Sequence, residues 1–437
     1  MLQALAGEDF RNVFSILFSI LTFTGTNLGN SKKMKNEFEI MAEKIAQTAK
    51  NVSLKLRVLD ADIRSKALQK AAETIRLREA EIMGENKKDT EAAKISGMAA
   101  SMIERLTLTP KRIEEMAKGV EEIALFTDPL GKILEHRTLK NGIDISRISV
   151  PLGAIFFIYE SRPNVTIDGA ALCFKSGNAV ILRGGKESVH SSSFLAKIFR
   201  DALAELGISK DAVQYIDNPD RNLLGYLLKQ NKFLDLVIPR GGEGLIRAVN
   251  EQSEIPVIKH FNGICHVYID VSADLDKAAK ILYNAKVQRP SVCNAAETVL
   301  FHKDLPKEAV ERILKPLRDA GVEIHCGKCG IEYLDLQISA CFVSGVEEAC
   351  EHIEKYGSHH TDAVVAEDSG VLEYFASNVD SASVMLNAST RFADGGQYGL
   401  GAEVGISTDK LHARGPMGVE SLCSYKWVLK GNGQVRE

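Results

Sequence analysis

The stretch AIFFIYESRPNVTIDGAALCFKSGNAVILRGGK, residues 154–186, decides how this chain is built. Ala154–Tyr159 and Ala179–Leu182 are short apolar runs of strand length, with a helical segment between them. The alternation continues outward through strands at Val213–Ile216 and Leu234–Ile238, with a helix at Ser193–Leu206 closed by Gly207. Residues 150–270 are therefore expected to form a parallel sheet covered by helices on both faces. Such sheets bind ligands at the carboxyl ends of their strands. The turns Arg183-Gly184-Gly185-Lys186 and Pro239-Arg240-Gly241-Gly242 fall at those ends.

A second alternating region follows Cys265, with helices at Asp274–Asn284 and Lys307–Ala320 and strands at Thr298–Phe301 and Val364–Ala366. Upstream, Met34 to Phe126 reads as helical. Phe38, Met41, Ile45 and Ala49 share one face, and Asp60 caps a helix with Ile63, Ala67, Leu68, Ala71 and Ile75 inward. Thr109-Pro110 starts another helix. Ile133–Lys140 and Ile143–Val150 flank Asn141-Gly142, which predicts a type I′ hairpin, and Ser424–Leu429 is strand-like. The expected layout is an α/β chain with two parallel-sheet units. Residues 34–132 with 151–264 form a cofactor-binding unit, and 265–423 a catalytic unit. Residues 133–150 and 424–437 supply a hairpin and strand that share sheet edges in a homo-oligomer. Residues 1–33, with the apolar Val13–Phe23 too short to span a bilayer, form an extension outside the fold.

A formal net charge of −4 and the absence of a basic stripe exclude the electrostatic footprint of a nucleic-acid binder. The eight cysteines read as reduced cytoplasmic thiols, not a disulfide framework. Cys326-Gly327-Lys328-Cys329 has the spacing of a zinc half-site, but no second pair follows, so no metal is expected.

Three segments carry chemistry. Cys293 lies between a helix and a strand, at an expected helix N-terminus and four residues from Arg289. Such surroundings favour a thiolate, although most cysteines are simply small buried apolar groups. Asn164 follows a buried strand and either donates its amide to a developing oxyanion or closes an Asx-turn. Arg183 and Lys186 offer two cations and open backbone to a phosphate, such as the 2′-phosphate of NADP. Gly241 and Gly242 open a helix that offers a second phosphate site, and no G-x-G-x-x-G fingerprint is present.

In this order the motifs YESRPNVT (159–166), KSGNAVILRGGKE (175–187), VIPRGG (237–242), HFNGICHVY (260–268) and RPSVCNAAET (289–298) resemble the aldehyde dehydrogenase superfamily. NASTRFADGG (387–396), GLGAEVGIST (399–408) and LHARGPMG (411–418) extend the likeness, which is to its acyl-phosphate-reducing branch. The resemblance implies Cys293 as nucleophile and Asn164 as side-chain oxyanion donor. It implies Arg183, Gly184, Gly185, Lys186, Arg240, Gly241, Gly242 and Glu332 as cofactor contacts. Arg289, Arg391, His412 and Arg414 would be anion binders for the substrate. His260 stands where hydrolytic relatives carry their water-activating Glu, which points to aldehyde formation. The implied reaction is NADPH-dependent reduction of L-glutamyl 5-phosphate to L-glutamate 5-semialdehyde in proline biosynthesis, with functional pairing to a glutamate 5-kinase. The alternatives are another acyl-phosphate or acyl-CoA reductase, or a non-catalytic oligomeric binding protein.

Overall fold

The computed structural model describes residues 37–160, 162–259 and 262–436, so the expectations for the amino-terminal extension and for His260 lie outside the described residues. Five helices come first: α1 over residues 37–56, α2 (Ala61–Leu77), α3 (Glu79–Ile95), α4 (Ala100–Leu106) and α5 (Pro110–Leu125). Asp60 accepts from the N–H groups of Asp62 and Ile63, and Thr109 caps α5 with Pro110 in its first turn. Ala67, Leu68, Ala71 and Ile75 are buried, but Ile63, expected inward, is exposed. In α1 the buried face runs through Ala42, Ala46 and Ala49, and Met41 is exposed. Small alanines let α1 lie close to its neighbours, a preference that a hydrophobicity pattern does not register.

Strands β1 (Ile133–Thr138) and β2 (Asp144–Pro151) pair antiparallel as a hairpin. The turn differs from the expected type I′. Gly142 N–H donates to the Leu139 carbonyl, and Gly142 has φ +82° while Asn141 is not in the left-handed region. A type I′ turn needs positive φ at both central residues, and a loop with one left-handed glycine at its end places that requirement on Gly142 alone.

Next come β3 (Ala154–Tyr159), α6 (Asn164–Lys175), β4 (Ala179–Arg183), α7 (Val189–Glu205), β5 (Val213–Tyr215), α8 (Arg221–Leu227), β6 (Leu236–Arg240) and α9 (Glu243–Gln252). Their strands form a parallel sheet in the order β5-β4-β3-β6. β3 is buried along its whole length, which explains its unbroken apolar sequence. Asp235 receives Lys50 of α1 at 2.9 Å and the Ala154 N–H at 2.8 Å, tying the helical layer to the start of β3.

The chain then builds β7 (Cys265–Ile269), α10 (Leu275–Val287), β8 (Ala296–His302), α11 (Lys307–Asp319), β9 (Glu323–Cys326) and β10 (Gln337–Val343). α12 (Val346–Tyr356), β11 (Thr361–Val365), α13 (Ser369–Asn378) and β12 (Ser383–Leu386) complete a six-stranded parallel sheet ordered β12-β11-β7-β8-β10-β9. A short ribbon, β13 (Gly405–Ser407) and β14 (Gly415–Met417), precedes β15 (Cys423–Lys430). β15 pairs antiparallel with β2 along eight residues, completing a three-stranded sheet with β1. Among the described residues no helix is long and apolar enough to cross a membrane.

Candidate active site

In the order β5-β4-β3-β6 the chain runs outward from β3 to β4 and β5, then crosses back to β6 on the other side of β3, and a crevice opens beyond the strand ends at that reversal. It holds a cavity of about 920 Å³. Glu160 follows β3 into its wall, Arg183, Gly184, Gly185 and Lys186 follow β4, Tyr215 ends β5, and Leu245 comes from α9. A β-carbon on Gly184 would approach the Tyr159 ring and the Tyr215 hydroxyl, each at 3.2 Å. The backbone after β4 is thereby kept bare toward the crevice. Arg183 donates to the Pro219 carbonyl at 3.1 Å, while its buried Nε makes no hydrogen bond among the described residues. Bare backbone, an orphaned guanidinium nitrogen and Lys186 fit a phosphorylated nucleotide.

The helix N-terminus at Gly241-Gly242 already holds an anion. The Glu160 carboxylate accepts from the Gly242 N–H at 2.8 Å, and a β-carbon on Gly241 would collide with the same carboxylate. This carboxylate stands where a phosphate would sit, so α9 offers an anion site that is intramolecularly satisfied. Arg240 turns away to Glu403 at 3.4 Å.

Cys293 sits in the irregular connection between α10 and β8, half-buried. No helix starts there, contrary to expectation. Only eight residues separate α10 from β8, and they form turns. The loop is instead held by side chains. Cys265 Sγ donates to the Cys293 carbonyl at 3.2 Å, Asn294 Nδ2 to the Ala393 carbonyl at 2.8 Å, and Thr390 Oγ1 to the Asn294 carbonyl at 2.7 Å. Gly263 packs directly on the Cys293 backbone, and its N–H donates to Glu332 Oε1 at 2.7 Å. Burial raises the Glu332 carboxyl above its usual range.

Arg162 and Arg391 both lie within electrostatic range of the Cys293 thiol. Partial burial, then the charges of Arg105, Arg240 and Arg289, lowers the Arg162 pKa. Arg391 is lowered first by burial and donates from Nε to Gln288 at 2.7 Å.

A second cavity, about 440 Å³, brings Asn164 together with Arg105, Arg162, Asp168 and Arg289. Asn164 opens α6, and its Nδ2 donates to Asp168 Oδ2 at 3.1 Å. Burial pushes the Asp168 carboxyl up to about 6. Arg105, Arg162 and Arg289 have no carboxylate partner among the described residues, unlike Arg112 beside them, which binds Glu104. Of the four expected anion binders, only Arg289 lines this cavity. His412 Nε2 donates to the Ser421 carbonyl at 2.7 Å, and Arg414 is paired with Asp380 at 2.7 Å. Both are committed elsewhere. Arg162 stood inside a quoted motif without being nominated, and Arg105 arrives from α4 with no local signal.

Beneath the loop, Lys286 and Glu297 form a fully buried ion pair at 2.8 Å. Burial raises the Glu297 carboxyl and lowers the Lys286 ammonium, each opposed by the partner's charge. Glu297 also accepts from the Leu334 N–H at 3.3 Å, joining β8 to the loop that carries Glu332.

The aldehyde dehydrogenase family model matches residues 20–324. The chain belongs to the aldehyde dehydrogenase family, whose enzymes are oxidoreductases using NAD or NADP. It is 45% identical over 416 residues to the gamma-glutamyl phosphate reductase of Paramagnetospirillum magneticum, covering 92% of this chain and 98% of that one. With the gamma-glutamyl phosphate reductase of Idiomarina loihiensis it shares 46% identity over 415 residues, 91% of this chain and 99% of the relative. The crystal structure of gamma-glutamyl phosphate reductase from Thermotoga maritima superposes with a TM-score of 0.89 at 40% identity, over 91% of this chain and 100% of that one. The aldehyde dehydrogenase-like fold expected from the sequence is the fold observed.

Proposed function

We propose that this chain reduces L-glutamyl 5-phosphate to L-glutamate 5-semialdehyde, with NADPH as reductant and a thioester on Cys293. The observation that carries the proposal is the meeting of Asn164 with three guanidinium groups, Arg105, Arg162 and Arg289, that have no carboxylate partner among the described residues, Arg162 also lying within electrostatic range of Cys293. Its curated relatives are named for this substrate. An acyl phosphate with an α-carboxylate brings two anionic groups, and a cluster of forked donors suits both.

The Cys293 thiolate attacks the acyl carbon, and the carbonyl oxygen becomes an oxyanion met by Asn164 Nδ2 and the Cys293 N–H. Phosphate departs with the electron pair of the broken C–O bond, its charge met by the guanidinium groups. The acyl group stays on sulfur. When bound, the nicotinamide dinucleotide supplies hydride to that thioester carbon. Asn164 again meets the oxyanion, which collapses to aldehyde and returns the thiolate. Arg183, Gly184, Gly185 and Lys186 would hold the adenosine phosphates, with Arg240, Gly241 and Gly242 at the next strand end. A pyrophosphate at Gly242 would displace the Glu160 carboxylate. Glu332 is proposed to hold the nicotinamide ribose beside Gly263.

Residues 34–132 with 151–264 would form the cofactor unit and 265–423 the catalytic unit. β1 and β15 are the outer strands of their three-stranded sheet and would offer its edges to a homo-oligomer in the cytoplasm, with a glutamate 5-kinase supplying the acyl phosphate.

The direct test follows NADPH formation from glutamate 5-semialdehyde with phosphate or arsenate. A rate requiring both aldehyde and oxyanion is expected. An aldehyde-dependent rate indifferent to phosphate would overturn the assignment.

A further inference from the structure

Cys329 and its near neighbour Cys326 read in sequence as half a metal site lacking its other half, and the fold supplies partners for Cys329. Its sulfur, on the loop after β9, lies 3.4 Å from the sulfur of Cys341 on β10. A ring nitrogen of His352 on α12 joins them, the three ligand atoms lying within 4.8 Å of one another. We propose that Cys329, Cys341 and His352 bind a soft divalent cation, zinc above all, at a site whose residues line neither cavity described above.

Two thiolates and one imidazole are the donors that zinc selects. Zinc–sulfur bonds of about 2.3 Å at a tetrahedral angle put two sulfurs about 3.8 Å apart, so the observed spacing needs only a few tenths of an ångström of adjustment. A disulfide at about 2.05 Å needs more than an ångström. The imidazole is ready for ligation. Its Nε2 is buried with no hydrogen-bond partner among the described residues. The ring is fixed against Tyr356 at 4.7 Å and against the edge of His266 at 5.5 Å, measured between centroids. Binding would release the two thiol protons to solvent, and three protein ligands leave a fourth position for water.

Such an ion would fasten the connection between β9 and β10, the segment that also carries Glu332, to β10 and α12. The inference is independent of the substrate assigned above.

The test uses the full-length, reduced Cys293→Ser protein, so that the nucleophile adds no thiolate signal. After chelation, Cd²⁺ is titrated in and the thiolate-to-metal absorption is followed in the ultraviolet. One equivalent is expected to bind. Losing an outer-shell partner alone costs about 10–100-fold in metal affinity, so Cys329→Ser, Cys341→Ser and His352→Asn are each expected to weaken binding by ~100-fold or more. Cys326→Ser should leave it unchanged. Absorption that persists after Cys329→Ser or Cys341→Ser would overturn the site, as would its absence in the parent protein. Quantitative loss of two thiols to a disulfide, with no Cd²⁺ binding after reduction, would overturn it in favour of a redox pair.

Discussion

Gly263 and Cys293 touch backbone to backbone, so closely that a β-carbon on Gly263 would fall 1.9 Å from the Cys293 carbonyl oxygen. No side-chain rotation can relieve that collision. Gly263→Ala must displace the nucleophile's loop or the turn carrying Glu332's partner. We expect kcat/KM to fall by about 10²-fold, the cost of misplacing a reacting group by roughly an ångström. Unfolding should remain cooperative. Wild-type turnover in this variant would show that the contact does not set the position of Cys293.

Asn164 is expected to act only when charge develops on the acyl oxygen. Asn164→Ala should lower kcat by about 10²–10³ with little change in KM. Steady-state kinetics with the semialdehyde as variable substrate separates the two. A change confined to KM would assign Asn164 to ground-state binding.

Asp168 predicts an acid limb. Its carboxyl titrates at about 6 and accepts from Asn164 when ionised. As pH falls through that value the negative charge that strengthens this bond and orients the amide is lost, so kcat/KM should decline with it. Asp168→Asn should abolish this limb. For stability the sign is opposite. The folded pKa lies above the unfolded one, so burial of the ionised form costs stability at neutral pH, and protonation on acidification relieves it.

Lys286 neutralises a carboxylate that has no access to water. Lys286→Met leaves Glu297 alone in the interior and should destabilise the fold by about 3–5 kcal/mol. The pair Lys286→Met with Glu297→Leu should recover most of that loss. Denaturant midpoints report both. A single variant as stable as the parent would mean that water or another cation reaches Glu297.

Much of this was legible in the chain. Buried parallel strands announce themselves as unbroken apolar runs, so β3 and β4 were placed within a residue. Glycines bare toward a crevice marked the turn at Gly184-Gly185. What the chain did not reveal is what arrives from afar. Arg105 reaches the Asn164 cavity from α4, Glu160 fills the N-terminus of α9, and Glu403 draws Arg240 aside. Spacing along the backbone carries no information about such meetings. The reading of a helix at Cys293 failed for a local reason: the short connection is held by Cys265, Thr390 and the Ala393 carbonyl instead.

The small antiparallel sheet has a consequence for how the molecule is made. β2 pairs with β15, and Val150 meets Ser424, close to the end of the chain. On a ribosome moving at 5–20 residues per second, the hairpin would wait roughly 15–55 s for its third strand. Throughout synthesis one flank of β2 stands open, and the nascent chain carries an edge that any neighbouring strand could take. Leu422 also accepts from Asn178 and from Leu152 in the first sheet's unit. Closing the hairpin and latching it to that unit are therefore one late event, which must await synthesis of Leu422 and β15.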